Sequence, residues 1–233
     1  MTFSKMKFTQ HFVSFSLLCT LLATAYLAYM AYGTNIILAK ISSGHKLPAE
    51  ELHILIQSLA SIESFGGIIL ILTSISMLSF LIWLYKSYKN LLVLNKVPAK
   101  FSPGWAVGWF FVPILNLYKP YQVITELWNE SFKNSSKQGF AVKQGPTIIK
   151  IWWLTNVASQ ITSLLTNGAA SQVKNIQTLP FAEIASHYLA LLELITISSI
   201  LSVFVVAGFI FVVFNINEIQ RSSHQGSLNS GGA

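Results

Sequence analysis

Two glutamate and histidine pairs are the first residues in this chain whose spacing chemistry could use. Glu50 and His53 stand three apart and Glu183 and His187 four apart, so each pair shares one face if its segment is helical. Brought together, the pairs would offer mixed oxygen and nitrogen ligands to a metal ion. Such spacings are common by chance, and no cysteine or tighter ligand motif joins them. The expectation is therefore no metal site and no cofactor. A third candidate is Glu193, in the apolar run LALLELITISS with Thr196, Ser199 and Ser202 at helical spacing. A carboxylate in hydrocarbon is costly unless partnered or protonated. Glu193 is thus either an intramembrane acid or, if its span starts later, a residue at the outer headgroups. The chain has eight acidic residues, all glutamate. It carries no phosphate-binding glycine loop, nucleophile elbow or zinc-protease helix, which argues against an enzyme.

The elements that must hold these residues are apolar. Of the 233 residues, 10% are charged and 53% hydrophobic, against about a quarter charged in soluble domains. The deficit of charge is a membrane signature. A net charge of +7 is explained by membrane topology rather than by nucleic acid, so the expected partners are the lipid bilayer, with anionic lipids among them, and a membrane protein. The single Cys19 allows no intramolecular disulfide. Lys5, Lys7 and the Ala23-Thr24-Ala25 site resemble a signal peptide. However, the apolar run continues to Tyr32, so the expectation is an uncleaved first span. Leu18 before Cys19 argues against a lipoprotein.

Four runs are long enough to cross: 12–32, 65–85, 148–166 and 188–214. The reading is an all-α membrane protein with one polytopic domain over 1–220 and a disordered Ser/Gly/Asn tail over 221–233. Before the second span, Pro48 opens a helix with Glu50 and Glu51 in its first turn, and Leu52, Leu55, Ile56 and Leu59 form its stripe. The connection from Gly168 to His187 is polar and broken by Pro180. Serines and threonines in the second and fourth spans suit helix packing. No internal repeat is present. With four spans, twelve basic residues share one side and three the other, and a fifth crossing would make the count seven against eight. The positive-inside rule therefore selects four spans in the cell membrane with both termini cytoplasmic.

Between spans two and three lies SPGWAVGWFFVPILNLYKPYQVITELW, Ser102 to Trp128. From Trp105 to Tyr118 a helix would reach about 21 Å, short of a hydrocarbon core of about 30 Å. Pro113 and Pro120 interrupt it further, and Trp105, Trp109 and Trp128 favour the headgroup boundary. The expectation is a re-entrant or interfacial hairpin over 102–132, its second half (Tyr121 to Phe132) an amphipathic helix in the membrane plane with Trp128 and Phe132 inserted and Glu126 and Glu130 hydrated. Lysines 86, 89, 96, 100, 119, 133, 137, 143 and 150 surround it, and each could attract anionic lipid by about 1 kcal/mol.

FLIWLYKSYKNL at Phe80 to Leu91, the segment from Phe101 to Ser131, and the pair Trp152-Trp153 resemble a bacterial membrane family catalogued as domain of unknown function 4328. The resemblance covers about a third of the chain directly. Its motif falls on Trp83, Asn90, Pro103, Gly104, Trp105, Trp109, Pro113, Asn116, Pro120, Trp128, Trp152 and Trp153, in structural or binding roles, with Asn90 and Asn116 bonding freed backbone groups. It implies an integral membrane protein and brings no catalytic residue. Three functional readings remain: a non-enzymatic interaction or lipid-sensing module at the inner leaflet, a small transporter or channel component, and, last, a membrane metalloenzyme.

Overall fold

A computed structural model describes residues 6–95, 99–133, 140–175 and 181–230. Lys5, Lys96, Lys137, Pro180 and the last three residues of the expected tail lie outside the described residues. Among the described residues six α-helices follow in order: α1 Lys7–Ser42, α2 Ala49–Asn95, α3 Pro103–Gly108, α4 Lys119–Lys133, α5 Phe140–Asn175 and α6 Phe181–Ser230. A 3-10 turn, Leu115–Leu117, precedes α4. No strand occurs among the described residues.

The helices α1, α2 and α6 are each long and apolar enough to cross a membrane. Only 17%, 33% and 28% of their respective apolar windows are buried, which leaves outward apolar surface of the kind that lipid covers. Helix α5 has the length, 36 residues, or about 54 Å. Its apolar character is diluted by Lys150, Asn156, Gln160 and a series of serines and threonines.

Two boundaries differ from the sequence expectation. The helix opened by Pro48 and the second span are one 47-residue helix, α2, with Glu50 and Glu51 in its first turn. Gly66 and Gly67 do not break it, although each disfavours helix by about 1 kcal/mol relative to alanine. Helix α6 continues to Ser230, so residues 221–230 are helical where composition suggests a disordered tail. The physical reason is propagation. Ile216, Ile219 and Gln220 are buried, and extending a docked helix avoids the cost of nucleating one.

By its contacts the chain divides into two compact units, and α1, α2, α5 and α6 each contribute residues to both. One unit comprises Met1–Leu18, Ser74–Leu154 and Val205–Ala233; the other comprises Cys19–Thr73 and Thr155–Phe204. The second unit has a core of Ala31, Leu38, Ile41, Leu55, Ala185 and Leu192, with Leu59 and Tyr188 packed against it. Thus Leu55 of the 52–59 stripe is buried and Leu59 partly buried, while Leu52 and Ile56 face outward. In this unit Ser202 donates to Thr24 Oγ1 at 3.3 Å, and Lys40 pairs with Glu51 at 3.1 Å.

The first unit holds the aromatic core. Trp83, Leu84, Tyr88, Ile124 and Leu127 are all fully buried. Phe209 meets Phe80 edge-on at 4.5 Å and Trp152 at 4.7 Å. Two glycines are required by close approach. A Cβ on Gly145 would stand 2.1 Å from the Trp128 ring, and one on Gly208 would stand 2.2 Å from Trp152.

Candidate functional site

The Trp/Pro segment belongs to the first unit. Ser102 caps α3 by accepting the Trp105 N–H at 3.3 Å, and Pro103 occupies the first turn, where a missing donor costs nothing. The helix ends after six residues at Gly108, and Pro113, which has no N–H to offer the Trp109 carbonyl, keeps the chain from resuming it. Next comes a rare backbone. Ile114 has φ 66° and ψ −49°, and the Leu115 N–H donates to the Pro113 carbonyl at 2.7 Å. This is a γ-turn of the strained hand, on a β-branched residue. Its tip presents Ile114, 77% exposed, together with Phe111, Leu117 and Trp105. Residues 105–118 are therefore a short helix, turns and a 3-10 turn, and none of these pieces is long enough to span.

Helix α4 returns along the protein. Its apolar face, Val123, Ile124, Leu127 and Trp128, is buried in the core of its own unit, which corrects the expectation that this face enters lipid. Trp128 is 1% exposed and stacks on Phe132 at 4.6 Å and Phe211 at 5.6 Å. It is a core residue rather than an interfacial anchor. Trp105, 57% exposed, is free to anchor, and half-buried Trp109 lies against it at 4.8 Å.

A set of hydrogen bonds, several of them buried, ties the helices of this unit together. Trp83 Nε1 donates to Asn217 Oδ1 at 2.9 Å. Gln220 Nε2 donates to the Ser87 carbonyl and to Ser131 Oγ, both at 3.1 Å. Tyr88 places its hydroxyl 2.7 Å from the Val123 carbonyl and 3.1 Å from Glu126 Oε2. The other Glu126 oxygen accepts the backbone N–H of Lys100. Trp152 Nε1 donates to the Val205 carbonyl at 3.0 Å. Trp153 Nε1 donates to the Leu117 carbonyl at 2.7 Å, so a tryptophan serves the broken segment in the way expected of an asparagine. Of the two asparagines, Asn90 is fully buried and Asn116 half-buried. Gly104 and Pro113 are exposed, and Pro120 is buried in the first turn of α4.

Beside the broken segment two ammonium groups share one aromatic ring. Lys119 Nζ lies 5.7 Å from the Phe101 centroid, 5.3 Å from that of Trp109 and 5.4 Å from that of Tyr118, and it donates to Gln122 Oε1 at 3.3 Å. Lys100 Nζ lies 5.6 Å from the Phe101 centroid. Such contacts hold a cation without neutralising it. The ion pairs described are Lys40 with Glu51 and Lys133 with Glu130. Neither Lys100 nor Lys119 is ion-paired among the described residues.

The other candidates lie in the second unit. Glu50, His53, Glu183 and Glu193 are exposed and His187 is half-buried. No group of three or more His, Cys, Asp or Glu side chains suited to a metal forms among the described residues. The hydroxyls of Thr196, Ser199 and Ser202 bond back to carbonyls of their own helix.

Sequence reasoning missed Tyr88, Glu126, Asn217, Gln220 and the Lys100, Phe101 and Lys119 cluster as a site. Asn217 and Gln220 stand three apart where an apolar run ends, so a polar pair on one buried face was a readable signal. Nothing local marks the lysine cluster, which is assembled by the turn between its members.

The family model described as a domain of unknown function (DUF4328) matches residues 49–218, reaching from the first turn of α2 to α6. No curated protein and no solved structure matches the chain.

Proposed function

From the premise that the chain belongs to the domain of unknown function 4328 family, we propose a non-enzymatic, multi-pass membrane module that senses lipid or a membrane partner. In this reading α5 makes a fourth crossing, both termini are cytoplasmic, and the Trp/Pro hairpin works at the inner-leaflet headgroups. The observation that carries it is the hairpin itself. A strained turn holds Ile114 outward beside exposed Phe111 and Trp105, and backbone strain persists where the surrounding structure imposes it, often for function. Buried Trp83, Trp128, Trp152 and Trp153 form the rigid base from which the hairpin projects. Apolar tips above unpaired lysines suit the boundary between acyl chains and headgroups.

The test is a nitroxide at position 114 in a Cys19→Ser background, with the protein in bilayers. The expected result is collision with oxygen exceeding collision with a water-soluble nickel chelate, relative to a label at exposed Lys133. Equal accessibilities at the two positions would remove the hairpin from the membrane and refute this reading.

A further inference from the structure

We propose that Lys100 and Lys119, gathered by the Phe101 ring, form a receptor for the phosphate group of an anionic phospholipid headgroup. This rests on the placement of the hairpin at the inner leaflet and names the lipid chemistry that the module recognises. Three rings surround the Lys119 ammonium and one side-chain acceptor, Gln122, takes a single hydrogen bond from it. An ammonium has three donors, so the contacts orient the group while leaving donors and charge for a further acceptor. Lys100 brings a second ammonium to the same ring.

The carboxylate joined to this segment is already engaged. Glu126 accepts from the Tyr88 hydroxyl and from the Lys100 backbone N–H. Lys100 Nζ and Lys119 Nζ lie 5.6 and 5.7 Å from the same ring centroid, and an anion reached by two such cations is attracted more strongly than by either alone. A phosphate supplies the acceptor oxygens for charge-assisted bonds to lysine. Phospholipid rather than a soluble anion is favoured because Trp105, Phe111 and Ile114, exposed on the same segment, offer acyl chains an apolar surface beside the lysines.

The full-length protein in detergent is titrated with phosphatidylglycerol or phosphatidylcholine and followed by native mass spectrometry. Phosphatidylglycerol is expected to bind more tightly. Lys100→Met and Lys119→Met should each weaken it by about five-fold with little change for phosphatidylcholine. Lys119→Arg should retain binding, and so should Lys46→Met, which removes an exposed charge in the other unit. Thermal unfolding of each variant reports folding, and if Lys119→Met does not fold, Lys100→Met and Lys119→Arg carry the comparison. The proposal is overturned if the methionine variants bind phosphatidylglycerol as the parent does, if both lipids weaken equally, or if Lys46→Met weakens binding as much. Displacement of the lipid by inorganic phosphate would assign the site to a soluble anion instead and also overturn it. A nitroxide at position 114 that reports membrane contact while headgroup preference is absent would sink the receptor and leave the module reading standing.

Discussion

Glu126 and Glu130 lie one helical turn apart on α4, are both half-buried and have different partners. Glu130 meets Lys133 at 3.5 Å in a pair whose lysine is 68% exposed, the kind of surface contact that contributes little. Glu126 bonds Tyr88, itself fully buried, and the Lys100 backbone. Glu126→Ala should therefore destabilise the protein by about 1–2 kcal/mol, the worth of hydrogen bonds to a charged acceptor, since the Tyr88 hydroxyl keeps the Val123 carbonyl and the Lys100 N–H can reach water. Glu130→Ala should change stability by less than about 0.5 kcal/mol. Chemical unfolding in detergent measures both, and equal losses would mean that Glu126 is solvated like Glu130. Two further residues test the packing. Trp128→Ala should cost about 3–5 kcal/mol through the cavity it leaves, and Gly145→Ala about 1–3 kcal/mol by pushing that ring. If Gly145→Ala unfolds at the parent's denaturant concentration, the close approach of α5 to Trp128 is wrong. At this scale the sequence showed which residue types were unusual but not their partners. Hydration was expected for Glu126 from the polar face of its helix, yet Tyr88 is 38 residues away in the chain, and no local pattern links them.

The broken element between the second and third apolar runs was legible from its prolines and its length, because a missing N–H and a short reach follow from sequence directly. The direction in which α4 turns its apolar stripe was not legible. A stripe facing lipid and a stripe facing protein have the same periodicity, and the choice is made by Phe132, Phe211 and Gly145 closing on Trp128. The continuity of α2 was hidden for a related reason: Gly66-Gly67 reads as punctuation, while long apolar flanks carry the helix through it. The γ-turn at Ile114 was also hidden, since isoleucine is among the residues least suited to positive φ. That mismatch yields a prediction for the element. Ile114→Gly should relieve backbone strain and raise stability in detergent by about 1 kcal/mol, at the lower end of what such conformations cost. It should also reduce membrane contact of a nitroxide placed at Phe111, because the apolar tip is lost. A glycine variant that is less stable than the parent would mean that the exposed isoleucine side chain makes a structural contact and that the turn is not held under strain for function.

For the whole molecule, charge and apolarity pull in different directions on the number of crossings. Helices α1, α2 and α6 qualify by composition, whereas α5 has the length but carries Lys150, Asn156 and Gln160. If α5 stays on one side, α6 reverses its direction and Arg221 moves to the face opposite Lys100. If α5 crosses, twelve basic residues share one side against three, the asymmetry that orients short loops toward the cytoplasm. The polar groups of α5 are tolerable in a crossing helix because Thr162, Ser163 and Thr166 satisfy their hydroxyls on carbonyls one turn earlier, and Asn156 accepts from Gln160 at 2.8 Å, so few donors would meet hydrocarbon unpaired. Single cysteines replacing Lys46, Lys100, Lys133 and Arg221 in a Cys19→Ser background, labelled in intact cells with a membrane-impermeant maleimide, separate the arrangements. Four crossings predict that position 46 alone reacts from outside and that 100, 133 and 221 react only after lysis. Reaction of 221 together with 46 would leave three crossings and put α5 on one face. Opposite sidedness of 100 and 133 would make the Trp/Pro hairpin a crossing segment, and the inner-leaflet placement on which the lipid receptor depends would fall with it.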